Sequence, residues 1–329
     1  MNNADLLVGD IGGTHARFAL ADANREGYQH EQVLLCADYE TPELAIDAYL
    51  QIAGARSPSI ICLAAAGPVF AGGIDLTNND WLMRESSLYK KFEISHARLL
   101  NDFEAVAYSL ADLDESHLEV IGPNPMADLS TEDFTVGVIG PGTGLGAAAL
   151  MKRGQHVLPL ITEAGHVGFA PESPLQSSVW EILWQRHGRV SDERLVSGTG
   201  IENIYSALSE LGGQPREALS ATQIFARADS DKQAAGSVNL FFEILGQVAG
   251  NFALSHSAFD GIYIAGGIAQ RYPELLEKSS FRSSFENKGR HRHIMEQVPT
   301  ALISHVQAGL LGASVVARKI SNTQRQQQP

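Results

Sequence analysis

Near its amino terminus the chain reads LVGDIGGTHAR over residues 7–17. An apolar run reaches an aspartate, breaks at paired glycines and resumes as FALA over 18–21, which predicts a strand, a tight turn and a second strand. Because glycine lacks a Cβ, the backbone of such a turn can approach a bulky anion and offer its amide N–H groups and the Thr14 hydroxyl to a phosphate. Asp10 would face the same space as a carboxylate able to hold Mg²⁺, directly or through water. On its own, the stretch is explained equally well by a glycine-rich hairpin without a ligand.

Composition and charge exclude several classes of protein. The chain has 329 residues, of which 44% are hydrophobic and 19% charged, as in a globular protein long enough for two domains. A net charge of −14 argues against a nucleic-acid partner. Neither a signal peptide nor an apolar run of about 18 residues is found, so we expect a cytoplasmic protein without a membrane partner. Cys36 and Cys62 lie in apolar runs and are predicted to be reduced core residues.

The order of the next segments predicts an α/β sheet. A strand is expected over 32–36, a helix carrying Leu44, Ala48 and Ile52 follows, and 60–65 has the continuous apolar character of a central strand. Three strands, a helix and a strand in this order are typical of a sheet with a helix packed on it.

A polar pair follows the next predicted strand, over 97–100. Asn101 and Asp102 stand where that strand ends and a helix begins. Open α/β sheets place their ligands at the carboxyl ends of strands. A helix cap explains Asn or Asp at this place as well, so both interpretations stay open from the residues alone.

The opening pattern occurs a second time, about 130 residues later. A strand over 134–139 leads into GPGTGLG over 140–146 and a further strand, which indicates an internal duplication. Two phosphate-binding turns on two domains would hold one nucleotide between them. A dinucleotide fingerprint is not in register here, and no Gly-Lys pair exists for a Walker A loop.

Three more places carry candidate binding groups. Glu163 and His166 fall in a segment that Gly165 indicates is a loop; a carboxylate beside an imidazole suits a polyol, although a histidine bonded to its own backbone is the alternative. By spacing alone, Glu193 is interpreted as a carboxylate at a helix start. Paired glycines at 266–267 end a buried strand and could let an adenine lie against the backbone.

Taken together, these pieces resemble the bacterial glucokinase family, ATP-dependent hexose kinases of the actin-like sugar-kinase superfamily. The ordered matches span nearly the whole chain and are GDIGGTHAR (9–17), LLNDFEAVA (99–107), IGPGTGLG (139–146), EAGHVGFAP (163–171), SDERLVSGTG (191–200), IAGGI (264–268) and FENKGR (285–290). The chain departs from the family pattern at His15, which replaces an Asn, and at Thr162 and Ala164, which replace glycines. The neighbouring repressor and kinase group with a cysteine-rich zinc motif does not fit, because the chain has two cysteines.

For the fold, the resemblance implies an α/β, two-domain actin-like (ribonuclease H-like) ATPase fold, with duplicated mixed sheets flanked by helices and an interdomain cleft. We expect a small α/β domain from 1–112 plus 304–329, a large α/β domain at 113–303, and assembly as a homodimer. The last residues, 321–329, are polar and predicted to be disordered.

For the site, the resemblance implies a role for each matching residue. Asp102 would be the catalytic base. The sugar hydroxyls would be bound by Asn101, Asp102, Glu163, His166 and Glu193, which promotes Glu193 to a substrate ligand. The nucleotide would be bound by Gly9, Asp10, Gly12, Gly13, Thr14, Gly142, Thr143, Gly144, Gly266 and Gly267, with Asp10 on the Mg²⁺ side.

The implied reaction is transfer of the γ-phosphoryl group of ATP to the 6-hydroxyl of glucose, giving glucose 6-phosphate and ADP at the entry to glycolysis. Domain closure would exclude water from the reaction. Two alternatives are a sugar-sensing regulatory protein of the same fold without catalysis, and a phosphatase or ATPase that hydrolyses without an acceptor.

Overall fold

The structure, a computed structural model, describes residues 6–55, 57–76, 80–130, 133–214 and 217–327. Its backbone packs into two compact units. Unit 1 takes in the described residues up to Asp114 together with those from His305 onward, and unit 2 runs from Glu115 to Ser304.

The first segment of unit 1, up to Asp114, contains the strands and helices β1 (Leu6–Ile11), β2 (His15–Ala21), β3 (Gln29–Leu35), α1 (Pro42–Ala53), β4 (Ile60–Ala65), β5 (Gly73–Asp75), β6 (Leu82–Arg84), α2 (Glu85–Phe92), β7 (His96–Asn101) and α3 (Asp102–Ser109). Those of unit 2 are β8 (Leu118–Ile121), β9 (Phe134–Pro141), β10 (Leu145–Arg153), β11 (His156–Thr162), α4 (Pro174–His187), α5 (Gly198–Leu211), α6 (Ala221–Ala226), α7 (Lys232–His256), β12 (Gly261–Ile264), α8 (Gly267–Arg271), α9 (Pro273–Lys278), α10 (Phe281–Glu286), α11 (Arg292–Met295) and β13 (Thr300–Ile303). The chain then returns to unit 1 as α12 (Ala308–Gln327).

The main sheet of unit 1 has five strands in the order β3-β2-β1-β4-β7. Strands β1 and β2, and β2 and β3, pair antiparallel, whereas β1, β4 and β7 run parallel. The side chains of β4 are all buried, as expected for a parallel strand covered on both faces. Helices α1 and α2 pack on one face, with Tyr49 and Leu88 in the core, and α3 and α12 pack on the other, with Ala105 and Leu310.

The main sheet of unit 2 repeats this arrangement. Its six strands lie in the order β11-β10-β9-β12-β13-β8, with antiparallel pairing of the first three and parallel pairing of β9, β12 and β13. The first five strands therefore match those of unit 1 one for one in order and direction. This confirms the α/β fold with duplicated mixed sheets that the family resemblance implies, and the internal duplication that the two glycine-turn patterns predict.

The additional strand of unit 2, β8, lies in a segment that the sequence leaves without a periodic pattern. It pairs antiparallel with β13 at the edge of the sheet, and two of its four residues, Glu119 and Val120, are exposed. A strand this short, exposed on its outer side, has too little apolar alternation to be recognised from the sequence.

The disordered tail predicted for 321–329 is wrong over residues 321–327, which continue α12. Helix α12 already packs along α3, so each further turn extends an existing helix without a new nucleation cost. Arg325 donates to Asn24 Oδ1 at 3.1 Å, and Ser95 donates to Gln324 Oε1 at 3.3 Å, so polar contacts hold this end in place. Residues 328–329 lie outside the described residues.

A search of the described helices for a stretch of membrane-spanning length and hydropathy finds none.

The packing of α12 on α3 predicts opposite effects for two helical Gly-to-Ala changes. At Gly312, an added Cβ would lie 1.7 Å from the Ala105 carbonyl oxygen, so the two helices would have to move apart. At Gly236, on an exposed part of α7, an added Cβ meets nothing within 4 Å. Gly312→Ala should lower the free energy of unfolding by about 1–3 kcal/mol, and Gly236→Ala should raise it by about 0.5–1 kcal/mol.

Thermal and urea unfolding of the two variants beside the unaltered protein measure these changes. Equal melting temperatures for Gly312→Ala and the unaltered protein would contradict the close helix packing.

Candidate active site

The first glycine turn, Gly12 to Thr14, joins β1 to β2. Gly12 N–H donates to the His15 carbonyl at 2.9 Å, and Cys36 N–H donates to the Thr14 carbonyl at 2.9 Å, so backbone hydrogen bonds hold the turn from both sides. Gly13 and Thr14 are exposed. The turn therefore presents its remaining backbone and the Thr14 side chain to solvent.

Asp10 and Arg17 lie opposite each other on β1 and β2, so their side chains share one face of the sheet. The Asp10 carboxylate lies against α12, where a Cβ at Gly309 would be 3.3 Å from Oδ2. Burial raises the pKa of Asp10 above its ordinary value, and the Arg17 guanidinium opposes that shift. Within the part of the chain that the structure describes, Arg17 Nε is buried without a hydrogen-bond partner.

Gly9 lies inside β1, before the turn. A Cβ at this position would be 2.7 Å from Leu63 Cδ2 and 3.0 Å from Phe18 Cδ1. Close packing of the neighbouring strands therefore accounts for a glycine here.

Asn101 and Asp102 lie at the junction of β7 and α3. Asn101 Oδ1 accepts from Phe103 N–H at 2.9 Å and from Glu104 N–H at 3.2 Å, while Glu104 accepts from Asn101 N–H at 3.4 Å, which completes a capping box. Asp102 Oδ1 accepts from Phe103 N–H at 2.9 Å. Asn101 is thus the cap, and Asp102 is the first residue of the helix at the sheet edge.

Glu104 fixes this junction from inside the protein. It is 1% exposed, and its Oε1 accepts from Arg98 at 3.1 Å. Burial raises the pKa of Glu104, and the Arg98 guanidinium opposes the shift. The backbone carrying Asn101 and Asp102 is therefore held by an ion pair whose carboxylate is buried and whose guanidinium is partly exposed.

The strand register brings the two parts of unit 1 to one edge. Ile11, Ala65 and Asn101 lie abreast at the carboxyl ends of β1, β4 and β7. The first glycine turn and Asp102 both follow directly from those ends, at the edge where parallel sheets bind ligands.

The second glycine turn, Gly142 to Gly144, joins β9 to β10 in unit 2. Gly142 N–H donates to the Gly144 carbonyl at 2.8 Å, and Gly198 N–H donates to the Gly142 carbonyl at 2.9 Å. The turn has three residues, as the first one has, but its threonine is in the middle and not at the end. Gly198 is the first residue of α5, so the turn lies at the amino end of a helix.

Gly266 and Gly267 lie beside the second turn. Gly266 has a φ of 86°, and a Cβ there would be 2.5 Å from the Pro141 carbonyl oxygen, so both its conformation and the close backbone approach require glycine. Gly267 begins α8, and a Cβ there would meet nothing within 4 Å.

A cavity of about 430 Å³ opens next to these glycines, within unit 2. The residues lining it are Gly142, Thr143, Gly198, Ala221, Thr222, Phe225, Gly267, Ile268, Arg271 and Tyr272. Phe225 and Tyr272 stack on each other with ring centroids 4.3 Å apart. A cavity of this size with an aromatic wall and a cationic side chain suits a small anionic ligand that carries a flat ring.

The segment with Glu163 and His166 is a loop, as predicted, containing the 3₁₀ turn Ala164–His166. Both side chains are about 60% exposed, and His166 Nε2 lies 4.0 Å from Glu163 Oε2. His166 N–H donates to the Glu163 carbonyl, so the turn is held by its backbone and both side chains face outward.

Glu193 lies in the 3₁₀ turn Asp192–Arg194, ahead of α5. Glu193 is therefore a carboxylate in the first turn of a 3₁₀ helix, as its spacing indicates, but it lies outside α5, whose cap is Ser197. Its Oε2 accepts from Leu145 N–H at 3.0 Å, at the end of the second glycine turn. This long-range hydrogen bond, and not local spacing, sets the position of Glu193.

Two further contacts join the loops that carry Glu163 and Glu193. Asp192 N–H donates to the Val167 carbonyl at 3.0 Å, and Arg189 donates to the His166 carbonyl at 2.6 Å. Burial raises the pKa of Asp192 to about 7, against the opposing effect of Arg189. Unit 2 thus brings Glu163, His166 and Glu193 onto neighbouring loops.

The sequence-predicted residues accordingly fall into two groups, one in each unit. The group in unit 1 is Gly9, Asp10, Gly12, Gly13, Thr14, Asn101 and Asp102; the group in unit 2 is Gly142, Thr143, Gly144, Glu163, His166, Glu193, Gly266 and Gly267. Residues that the sequence did not single out are Arg17, Thr222, Phe225, Arg271 and Tyr272. Arg17 could have been recognised as a neighbour of Asp10 only from the pairing register of β1 with β2. The other four residues line the cavity, which forms only through tertiary packing and has no local sequence signal.

Comparisons with known proteins identify the family to which this chain is similar. A family model described as Glucokinase matches residues 7–320. The glucokinase of Caulobacter vibrioides strain NA1000 / CB15N is 39% identical over 320 residues, with 94% of each chain covered. The crystal structure of a glucokinase from an Antarctic psychrotroph has a TM-score of 0.87 and 33% identity, covering 95% of this chain and 98% of that one.

A more distant structure shares the fold. It is the ROK family glucokinase from Streptomyces griseus, in complex with glucose and AMPPNP, with a TM-score of 0.64 and 20% identity over 95% of this chain and 99% of that one. From the family model and the Caulobacter relative, with the duplicated sheets and paired glycine turns, it follows that the chain belongs to the glucokinase family.

Proposed function

We propose that this chain transfers the γ-phosphoryl group of ATP to the 6-hydroxyl of glucose, giving glucose 6-phosphate and ADP. The observation that carries the proposal is the repetition of one sheet edge, with a three-residue glycine turn beside parallel strand ends, in both units. In unit 1, Asp102 also lies at this edge. Unit 2 also contains the cavity beside Gly267 and the two loops that carry Glu163 and Glu193. The glucose and AMPPNP complex of the Streptomyces griseus glucokinase supports this substrate pair, since AMPPNP is an ATP analogue.

The acceptor half of the reaction needs a base and ligands for the sugar. Asp102 would take the proton of the 6-hydroxyl as its oxygen attacks the γ-phosphorus. Asn101, Glu163, His166 and Glu193 would bind the other hydroxyls, because carboxylates accept hydrogen bonds from adjacent hydroxyls and an imidazole can donate or accept. The exposure of Glu163 and His166 supports this role, since neither side chain is buried by packing.

The donor half needs groups that hold a triphosphate. The backbone and threonine hydroxyls of the two turns, Gly12–Thr14 and Gly142–Gly144, would bind the phosphates, while adenine would occupy the cavity beside Gly266 and Gly267. Arg17, with its unpartnered Nε, would add positive charge near the first turn. Positioning and charge stabilisation of this kind are the main means of catalysing phosphoryl transfer.

Asp10 is the residue we propose to hold Mg²⁺, through water. No three His, Cys, Asp or Glu side chains of the described ranges are arranged to ligate a metal together. One carboxylate still suits Mg²⁺, which keeps several waters and takes other ligands from substrate phosphates. Asp10 fits because it is the second-last residue of β1, with only Ile11 between it and the turn. When bound, the ion would offset the charge developing on the phosphates.

Assembly as a homodimer and location in the cytoplasm stay predictions from the family resemblance.

A panel of hexoses with Mg-ATP tests the proposed function. We expect ADP release that depends on glucose, with glucose 6-phosphate as the product. ADP release without any sugar would instead indicate a hydrolase. Sugar binding without turnover would indicate a regulatory protein, and either result would contradict the proposal.

Asp102→Asn should lower kcat by about 10²–10⁴-fold, because an amide cannot accept the hydroxyl proton. Sugar binding should change little, since the amide keeps one oxygen acceptor. Steady-state kinetics and glucose calorimetry measure the two effects. Asp75→Asn, at an exposed position of β5, is the matched control and should keep normal turnover. Near-normal kcat in Asp102→Asn would show that another group is the base.

Gly267→Val should raise the KM for ATP by about tenfold or more, because its side chain would enter the cavity proposed for adenine. The open space around an added Cβ means that folding should be preserved, and the melting temperature checks this. The KM for glucose is the internal control and should stay close to its original value. An unchanged KM for ATP would place the adenine elsewhere.

A further inference from the structure

Three separate segments of unit 2 meet at the backbone of Leu145, the residue that follows the second glycine turn. Its N–H donates to Glu193 Oε2 at 3.0 Å. Its carbonyl oxygen lies against Gly165, where a Cβ would be only 2.1 Å away. One residue thus contacts both of the loops that carry the proposed sugar ligands.

The segment around Glu193 holds the second turn at both of its ends. At one end, Glu193 accepts from Leu145 N–H; at the other, Gly198 N–H donates to the Gly142 carbonyl. Ser197 Oγ donates to the Glu193 carbonyl at 2.8 Å, which fixes the spacing between these two anchors. The shape of the turn therefore depends on where the Glu193 carboxylate sits.

The fit between the turn and this carboxylate is close. A Cβ at Gly144 would be 2.5 Å from Glu193 Oε2, so only glycine lets the carboxylate reach Leu145 N–H. Within the described residues, Glu193 Oε2 accepts from Leu145 N–H and Oε1 accepts no hydrogen bond, so the turn engages only one of the two carboxylate oxygens of this partly buried residue.

We propose that Glu193 is a positioning residue for the phosphate turn as well as a sugar ligand. Its Oε2 holds Leu145 N–H and with it the Gly142–Gly144 turn, and its Oε1 takes a sugar hydroxyl. The inference rests on the proposed function, and it adds that one carboxylate bridges the donor and acceptor subsites. Loss of the side chain then weakens nucleotide binding even when no sugar is present.

Considered alone, electrostatic repulsion predicts that loss of the Glu193 carboxylate lowers the Kd for the nucleotide, the opposite of what loss of an anchor predicts. Removing a negative charge near bound phosphates should strengthen their binding, because like charges repel. Removing an anchor should weaken binding, because the turn loses a charge-assisted hydrogen bond and leaves Leu145 N–H unpaired. The direction of the change therefore separates the two effects.

The test measures the Kd of ADP with Mg²⁺ by calorimetry in sugar-free protein. Glu193→Ala should raise this Kd by about tenfold, the equivalent of one hydrogen bond to a charged group. Glu193→Gln keeps an oxygen acceptor for Leu145 N–H, so its Kd for ADP should stay within about twofold, while its KM for glucose rises. Melting temperatures verify that both variants are folded.

Glu163→Ala is the matched control. It removes a carboxylate of the other proposed sugar loop, and among the described residues its ion pair is with His166 and not with the turn. It should lose glucose affinity and keep the Kd for ADP of the unaltered protein.

The inference is overturned if Glu193→Ala binds ADP as tightly as the unaltered protein. It is also overturned if Glu163→Ala or Glu193→Gln weakens ADP binding as much as Glu193→Ala does. In both cases the unaltered protein would still phosphorylate glucose, so the proposed function would stand. Unaltered protein that neither binds ADP nor phosphorylates glucose would contradict the proposed function itself.

Discussion

In each unit, the placement of the candidate site residues depends on the hydrogen-bond register of parallel strands. In unit 1 this register sets Ile11 beside Ala65 and Asn101; in unit 2 it sets Ile139 beside Ile264. Groups that follow these residues along the chain become neighbours in space, although they are far apart in sequence. A shift of one residue would turn every side chain of the strand to the other face, so the buried cores on both sides enforce the register.

Local sequence patterns were sufficient to predict the strands, turns and helix starts whose residue types follow a short periodic or capping pattern. The two hairpins, the buried β4 and the helix start after Asn101 all follow from alternation, apolar runs and capping chemistry. The structure confirms a helix cap at Asn101, and a ligand-binding role for Asn101 or Asp102 stays a prediction. Asn101 accepts both capping hydrogen bonds, and Asp102 stands one residue further at the sheet edge.

Groups assembled by tertiary contacts could not be predicted in this way. Leu145 and Glu193 are 48 residues apart, and no periodic pattern connects them. The stacked rings of Phe225 and Tyr272 likewise come from α6 and the end of α8. The family resemblance named Glu193 as a ligand, but only the coordinates reveal which backbone group holds it. Thr162, a departure from the family pattern, donates to the Ala147 carbonyl and accepts from Ala164 N–H, so this side chain ties the start of the loop that carries Glu163 to β10.

The return of α12 to unit 1 has a consequence for folding during synthesis. Unit 2 is one continuous segment, whereas one face of the unit 1 sheet is covered by residues made after unit 2. While the ribosome is still translating residues 115–304, apolar side chains such as Val8 and Cys62 have no α12 to cover them. The nascent first segment of unit 1 therefore stays incomplete, with apolar surface available for association, until α12 has been made, and a chaperone that shields this sheet face would act mainly before α12 emerges.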